Sequence, residues 1–185
     1  RCLSLPLTPL RRLMTCLENN INSNVCDMNL LEIERKYLVN DSSYKQRAMC
    51  KVHIKQGYLS LSPTCTIRVR VWDDKGFITI KSNNQPDSIA HFEWEKELSL
   101  DEVAPLFSLC VSGIIEKNRW VVPLDDGLLC EVDEFMGANE GLVLAEVELE
   151  ASDQLFQRPD FLGDEVTNDE RYYNSYLSKH PFTTW

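Results

Sequence analysis

Glu32, Glu34 and Lys36 stand two residues apart in Leu31-Glu32-Ile33-Glu34-Arg35-Lys36-Tyr37-Leu38. Alternate residues of a β-strand share a face, so both carboxylates and the ammonium project to one side while Leu31, Ile33 and Tyr37 take the other. One strand then presents hard oxygen ligands beside a cation. That combination suits a divalent metal ion escorting a polyanion such as a polyphosphate.

The surrounding chain supplies more strands of the same kind. From Leu30 onward the dominant period is two, broken by turn signals, which predicts a mainly β, largely antiparallel (α+β) protein. The expected strands are 31–38, 51–59, 64–72, 76–82, 90–98, 114–122, 128–135 and 142–150. Turns are expected at Asp73-Asp74-Lys75-Gly76, Asn83-Asn84-Gln85-Pro86 and Asp125-Asp126-Gly127. Ser99 with Glu102, and Thr167 with Glu170, have capping-box spacing. They predict a flanking helix to about Leu109 and a C-terminal helix to about Lys179.

The strand faces are unusually charged. Thr66, Arg68, Arg70 and Trp72 oppose Cys65, Ile67, Val69 and Val71; Thr79 and Lys81 oppose Ile78 and Ile80; Lys117 and Arg119 share a face away from Trp120. Acids behave likewise at Glu93/Glu95, Glu131/Asp133 and Glu146/Glu148. An open antiparallel sheet with one solvated side also alternates polar and apolar residues. Repeated like-charge pairs argue against it, because they repel unless counter-ions or ligands compensate them. The alternative is a closed or nearly closed eight-stranded barrel with a polar lumen and its apolar face packed outward against helices. About eight strands enclose room for one small ligand. Inside, carboxylates would hold metal while arginine forks held phosphate oxygens.

Composition narrows the function classes. With 185 residues and 43% hydrophobic side chains, the chain suits one globular domain. The formal net charge of -10 argues against nucleic acid or an anionic membrane as partner. No apolar run approaches the ~18 residues of a membrane span. Cys2, Cys16, Cys26, Cys50, Cys65, Cys110 and Cys130 form no Cys-x-x-Cys pair and read as free thiols of a reducing cytoplasm. His53, His91 and His180 share no ligand spacing and read as structural. Residues 1–27 carry Arg1, Arg11 and Arg12 with no acid before Glu18, which leaves a transit peptide open. The preferred reading is an N-terminal extension, expected to be disordered, ahead of a domain spanning 28–185.

In order along the chain, several segments resemble the CYTH superfamily, the triphosphate tunnel metalloenzymes. Glu32-Ile33-Glu34-Arg35-Lys36 is similar to its ExExK signature, and Gln56-Gly57-Tyr58-Leu59, Arg68-Val69-Arg70, Thr79-Ile80-Lys81, Lys117-Asn118-Arg119, Glu131-Val132-Asp133, Ala145-Glu146-Val147-Glu148-Leu149, Gly163-Asp164-Glu165-Val166-Thr167 and Asp169-Glu170-Arg171-Tyr172 continue the similarity. The resemblance covers about 28 to 180 and is nearest to the short inorganic tripolyphosphatases. It implies an eight-stranded tunnel, a requirement for Mg²⁺ or Mn²⁺, and hydrolysis or cyclisation of a triphosphate-bearing substrate, with hydrolysis of inorganic tripolyphosphate as first choice. By position, Glu32, Glu34, Glu146 and Glu148 would bind metal, and Lys36, Arg68, Arg70, Lys81, Lys117, Arg119 and Arg171 would bind phosphate. Lys36 and Tyr58 would be catalytic, Lys36 lowering the Tyr58 pKa so that the phenol helps orient or deprotonate water. The partner is then a small-molecule triphosphate, and the protein a monomer or homodimer. Thiamine triphosphatase activity and a non-catalytic polyphosphate- or nucleotide-binding module are the alternatives. Adenylyl cyclase activity is less favoured, because the histidine-phenylalanine element that precedes ExExK in class IV cyclases is absent.

Overall fold

The computed structural model describes residues 31–62, 64–82 and 90–185, with the side chains of 31, 32 and 90–92 outside the description. Residues 1–27, the turn at Asn83–Pro86 and the Glu32 side chain therefore lie outside the described residues. Nine strands follow in chain order: β1 (Leu31–Val39), β2 (Cys50–Leu61), β3 (Cys65–Trp72), β4 (Lys75–Ser82), β5 (Ala90–Leu98), β6 (Ile115–Pro123), β7 (Leu129–Phe135), β8 (Val143–Glu148) and β9 (Leu162–Glu165). The first eight match the expected strands with ends shifted by one or two residues. All described pairings are antiparallel.

The sheet runs β5-β4-β3-β2-β6-β7-β8-β1-β9. A short ladder, Leu31↔Phe92 to Ile33↔Ala90, also joins the edge strand β5 to β1, beside the other edge strand β9, which makes a closed or nearly closed barrel. The hairpins form where turn chemistry permits. Gly127 takes φ 84 after Asp125-Asp126, a conformation open to glycine at little cost.

The largest core lies outside the barrel. Tyr37, Val122, Cys130, Val132, Ala145 and Val147 point outward from β1, β6, β7 and β8 and pack with Tyr44, Phe161 and Leu162. Tyr44 belongs to the one-turn helix α1 (Tyr44–Arg47), so α1 and the segment leading into β9 cover that outer face. Each large apolar side chain removed from water contributes roughly 1.5–3 kcal/mol. On the opposite wall, α2 (Leu100–Val103) packs on β3 and β4 through buried Val103. Its start shows the expected capping box: Ser99 accepts from the Glu102 backbone, and the Glu102 side chain accepts from Ser99. The helix tightens at Ala104 into a 3-10 turn ending at Leu109.

Two features depart from expectation. The strand β9 is short and polar apart from Leu162, too weakly patterned to announce itself. It fits because Gly163 lies against β1, where a Cβ would come within 2.6 Å of the Asn40 side chain. The continuous C-terminal helix from Thr167 is replaced by a 3-10 turn (Glu170–Tyr172), an extended Tyr173, and α3 (Asn174–Leu177). Thr167 does not cap it, because its hydroxyl accepts from the Lys36 backbone N–H. Asp169 caps instead, accepting from Arg171 N–H. Breaking the helix lets Leu177, Tyr172 and Phe182 pack over the apolar end of the barrel at Ile115, Phe135 and Leu144. No helix among the described residues is long and apolar enough to cross a membrane.

Candidate active site

Inside the barrel the charges sit between two apolar layers. Along the inward face of β6 the order is Ile115, Lys117, Arg119, Val121; Ile115 belongs to the layer beneath α3, and Val121 to a second cluster with Val52, Ile54 and Trp72. The strand register sets Lys36 against Glu146 across β1 and β8 and Arg119 against Asp133 across β6 and β7, while it places Glu34 directly opposite a second acid, Glu148.

Every buried base has a carboxylate partner. Lys36 Nζ donates to Glu146 Oε1 at 2.6 Å, and Arg119 Nη2 donates to Glu146 Oε2 at 2.9 Å. Arg119 also grips Asp133 with a fork, Nε to Oδ1 at 2.7 Å and Nη2 to Oδ2 at 2.6 Å, and reaches Glu131 with Nη1. Lys117 donates to Asp133. Across the lumen, Arg70 Nη2 donates to Glu95 Oε2 at 2.6 Å, and the Thr79 hydroxyl donates to the same oxygen at 2.8 Å. Lys81 lies between Glu34 at 3.8 Å and Glu93 at 3.7 Å, and Arg68 is 3.7 Å from Glu93.

These pairs move the proton affinities. Burial opposes ionisation of Glu146, yet Lys36, Arg119 and Lys117 hold its carboxyl well below the usual range. Asp133 is lowered against burial by Arg119 and Lys117, and Glu95 by Arg70 and Arg68. Lys36 is raised despite burial, because Glu146 and Glu34 stabilise its charge. Lys117 is pushed down to about 8, burial outweighing Asp133. At Tyr58, burial raises the pKa and outweighs Arg68, Lys36 and Lys81, so Lys36 pulls downward as expected but the net shift is upward.

Residues 30–180 match the CYTH domain family. The chain belongs to the CYTH family. It is 41% identical over 152 residues to an inorganic triphosphatase of Acetivibrio thermocellus, covering 82% of this chain and 95% of the relative. It is 35% identical over 153 residues to an inorganic triphosphatase of Nitrosomonas europaea, covering 80% and 97%. The crystal structure of the inorganic triphosphatase NE1496 superposes with a TM-score of 0.56 at 34% identity, over 80% of this chain and 93% of that one.

Within this CYTH domain, Lys36, Arg70, Lys117 and Arg119 are all at least nine-tenths buried, and Tyr58 is buried with them. Arg68, Lys81, Glu34, Glu146 and Glu148 join the same interior as half-buried groups. Arg171 stands apart. Its side chain is 59% exposed, held by Asp169 and laid against Tyr172 and Trp185. His53 pairs with Glu116 on the outer surface, and His180 stacks on Tyr176. Among the described residues Cys50, Cys65, Cys110 and Cys130 are free.

The site also takes in Asp133, Glu131, Glu95 and Thr79, which strand parity places on the polar face without assigning them a role. Tyr173 gave no sequence signal. Its ring lies 5.7 Å from Lys36 Nζ because the C-terminal break turns it toward β1.

As a metal site, Glu34 and Glu148 form a directly opposed like-charge pair with Glu146 next on β8. No three such ligands converge on one point among the described residues, which do not include the Glu32 side chain, and Glu146 is engaged by Lys36 and Arg119. The all-carboxylate donor set fits a hard cation, whose charge would relieve the Glu34/Glu148 repulsion.

Proposed function

We propose that this domain hydrolyses inorganic triphosphate with Mg²⁺ or Mn²⁺. The observation that carries the reading is the buried interior itself, where Lys36, Arg70, Lys117 and Arg119 line one lumen opposite carboxylate walls. Isolated buried charges cost too much to persist, so such a set persists as paired ions that a polyanion can exchange for its own oxygens. Its relatives' names point to the same substrate.

In this reading, water attacks the terminal phosphorus, the bridging P–O bond breaks, and orthophosphate and pyrophosphate leave. Phosphoryl transfer depends on positioning and charge neutralisation more than on covalent chemistry. Arg68, Arg70, Lys81, Lys117 and Arg119 hold the phosphoryl oxygens, Arg by planar forks. Glu34, Glu146 and Glu148, with Glu32, would hold the cation, which when bound supplies Lewis-acid neutralisation of the phosphate charge. Lys36 stays protonated and orients both Glu146 and substrate. The Tyr58 phenol keeps its proton near neutrality and orients the attacking water by hydrogen bonding.

The test is a substrate panel of tripolyphosphate, ATP, thiamine triphosphate and pyrophosphate with Mg²⁺ or Mn²⁺. Orthophosphate release strongest from tripolyphosphate supports the reading. Cyclic AMP with pyrophosphate, or binding without turnover, overturns it.

A further inference from the structure

Gln56 is fully buried on β2, two residues before Tyr58, with its side chain on the lumen face. Neither its Nε2 nor its Oε1 has a hydrogen-bond partner among the described residues. Its cross-strand partner is Arg70, whose Nε–H is also buried and without a partner, although Nη2 of the same guanidinium is held by Glu95. Two unsatisfied donors thus occur on directly opposed residues facing one lumen. Buried polar groups are normally satisfied, and each orphan calls for a reason.

Charge explains why an amide stands here. Burial and the nearby Arg68 already depress the Arg70 pKa, so another cation would add repulsion. A neutral N–H donor strengthens an anion site without that penalty.

We propose that Gln56 is a substrate-binding residue, its Nε2–H converging with Arg70 Nε–H on one oxygen of the innermost phosphoryl group. The inference rests on the triphosphatase reading and assigns the end of the phosphate chain that this deep position receives. A terminal, unsubstituted phosphoryl group enters here, and any substituent lies toward the other end. Arg70 is thereby divided, Nη2 fixed by Glu95 and Nε kept for the ligand.

The experiment compares wild type with Gln56→Leu and Gln56→Glu, measuring steady-state kinetics and melting temperature with and without tripolyphosphate and Mg²⁺. Gln56→Leu removes an unsatisfied buried amide, so the ligand-free melting temperature should hold or rise. Its KM for tripolyphosphate should increase roughly 10- to 100-fold, the loss of one hydrogen bond to a charged group, with kcat changed less. The thermal shift caused by tripolyphosphate should shrink in parallel. Gln56→Glu preserves volume but sets a carboxylate against phosphate and offers Arg70 Nε an internal partner. Its shift should be weaker still, and it carries the test if the leucine variant does not fold. A lower ligand-free melting temperature with wild-type KM and shift would mark Gln56 as structural and overturn the proposal. Thermal stabilisation does not need turnover, so a wild type that is stabilised without hydrolysing would sink the triphosphatase reading while the shifts still decide Gln56.

Discussion

Lys36 and Glu146 are cross-strand partners on β1 and β8, joined Nζ to Oε1 at 2.6 Å, and Arg119 takes the other oxygen of the same carboxylate. A single glutamate therefore orders two bases drawn from different strands. Its charge is fixed from both sides, and any ligand entering must rearrange or replace that arrangement.

Replacing Glu146 by Gln should leave Lys36 and Arg119 short of a counter-charge. Breaking a buried pair on one side typically costs about 3–5 kcal/mol, so the melting temperature should fall clearly in thermal denaturation. A fall limited to a degree or two would show that the interior is wetter than its burial indicates.

The carboxylates Glu34 and Glu148 test the metal assignment. Glu34→Gln or Glu148→Gln keeps shape and removes one charge from an opposed pair. Turnover should drop by orders of magnitude while folding survives, because hard cations depend on carboxylate count. Full activity in both variants, or in excess chelator, would remove these residues from a metal site.

Arg70→Lys keeps the charge but loses the planar fork that donates to Glu95 at one edge. Activity should weaken despite the conservative change, read as kcat/KM for tripolyphosphate. An unaltered value would assign Arg70 to the wall alone.

Tyr58→Phe retains the ring and removes the hydroxyl. A packing tyrosine would lose only about 1 kcal/mol of stability, whereas a residue that positions water should lose roughly 10²–10⁴-fold in turnover with ligand-induced stabilisation intact. Since burial holds the phenol's proton, turnover should show no rise through the neutral range attributable to its ionisation. Near-normal turnover in the phenylalanine variant would pass water positioning to another lumen group.

Acid should destabilise the fold through the lumen. Asp133 and Glu146 titrate below their ordinary values of 3.8 and 4.5 in the native state, so the unfolded chain binds protons first as pH falls. Their contribution is present above those ordinary values and is lost as pH drops through the lowered native ones. Melting temperature measured from neutral pH downward should decline through that acid window, and Asp133→Asn should flatten part of the decline.

The alternation of side chains made most of this legible beforehand. Arg68/Arg70, Lys117/Arg119 and Glu146/Glu148 reach one lumen because strand parity alone fixes their side. Parity could not say which acid meets which base. The Lys117–Asp133 and Arg70–Glu95 pairs depend on register across strands, which turn length and packing decide. The Ser99 cap was readable because both halves of the box are local. The Thr167 cap misled because a distant backbone group, Lys36 N–H, took the hydroxyl. The net upward shift at Tyr58 was hidden for a related reason, since sequence shows the neighbouring lysine that lowers the pKa but not how much water is excluded around the phenol.

The outward core and inward charges also set which genetic changes the domain can absorb. Inserting one residue between Lys117 and Arg119 would leave Lys117 in the lumen and turn Arg119 and Val121 toward the outer layer, while Trp120 and Val122 rotated inward. One such indel would strip the scaffold and the reactive lumen together, whereas added length in the Asp125–Gly127 turn would shift neither face. Length variation in descendants of this gene should therefore gather at the hairpin tips.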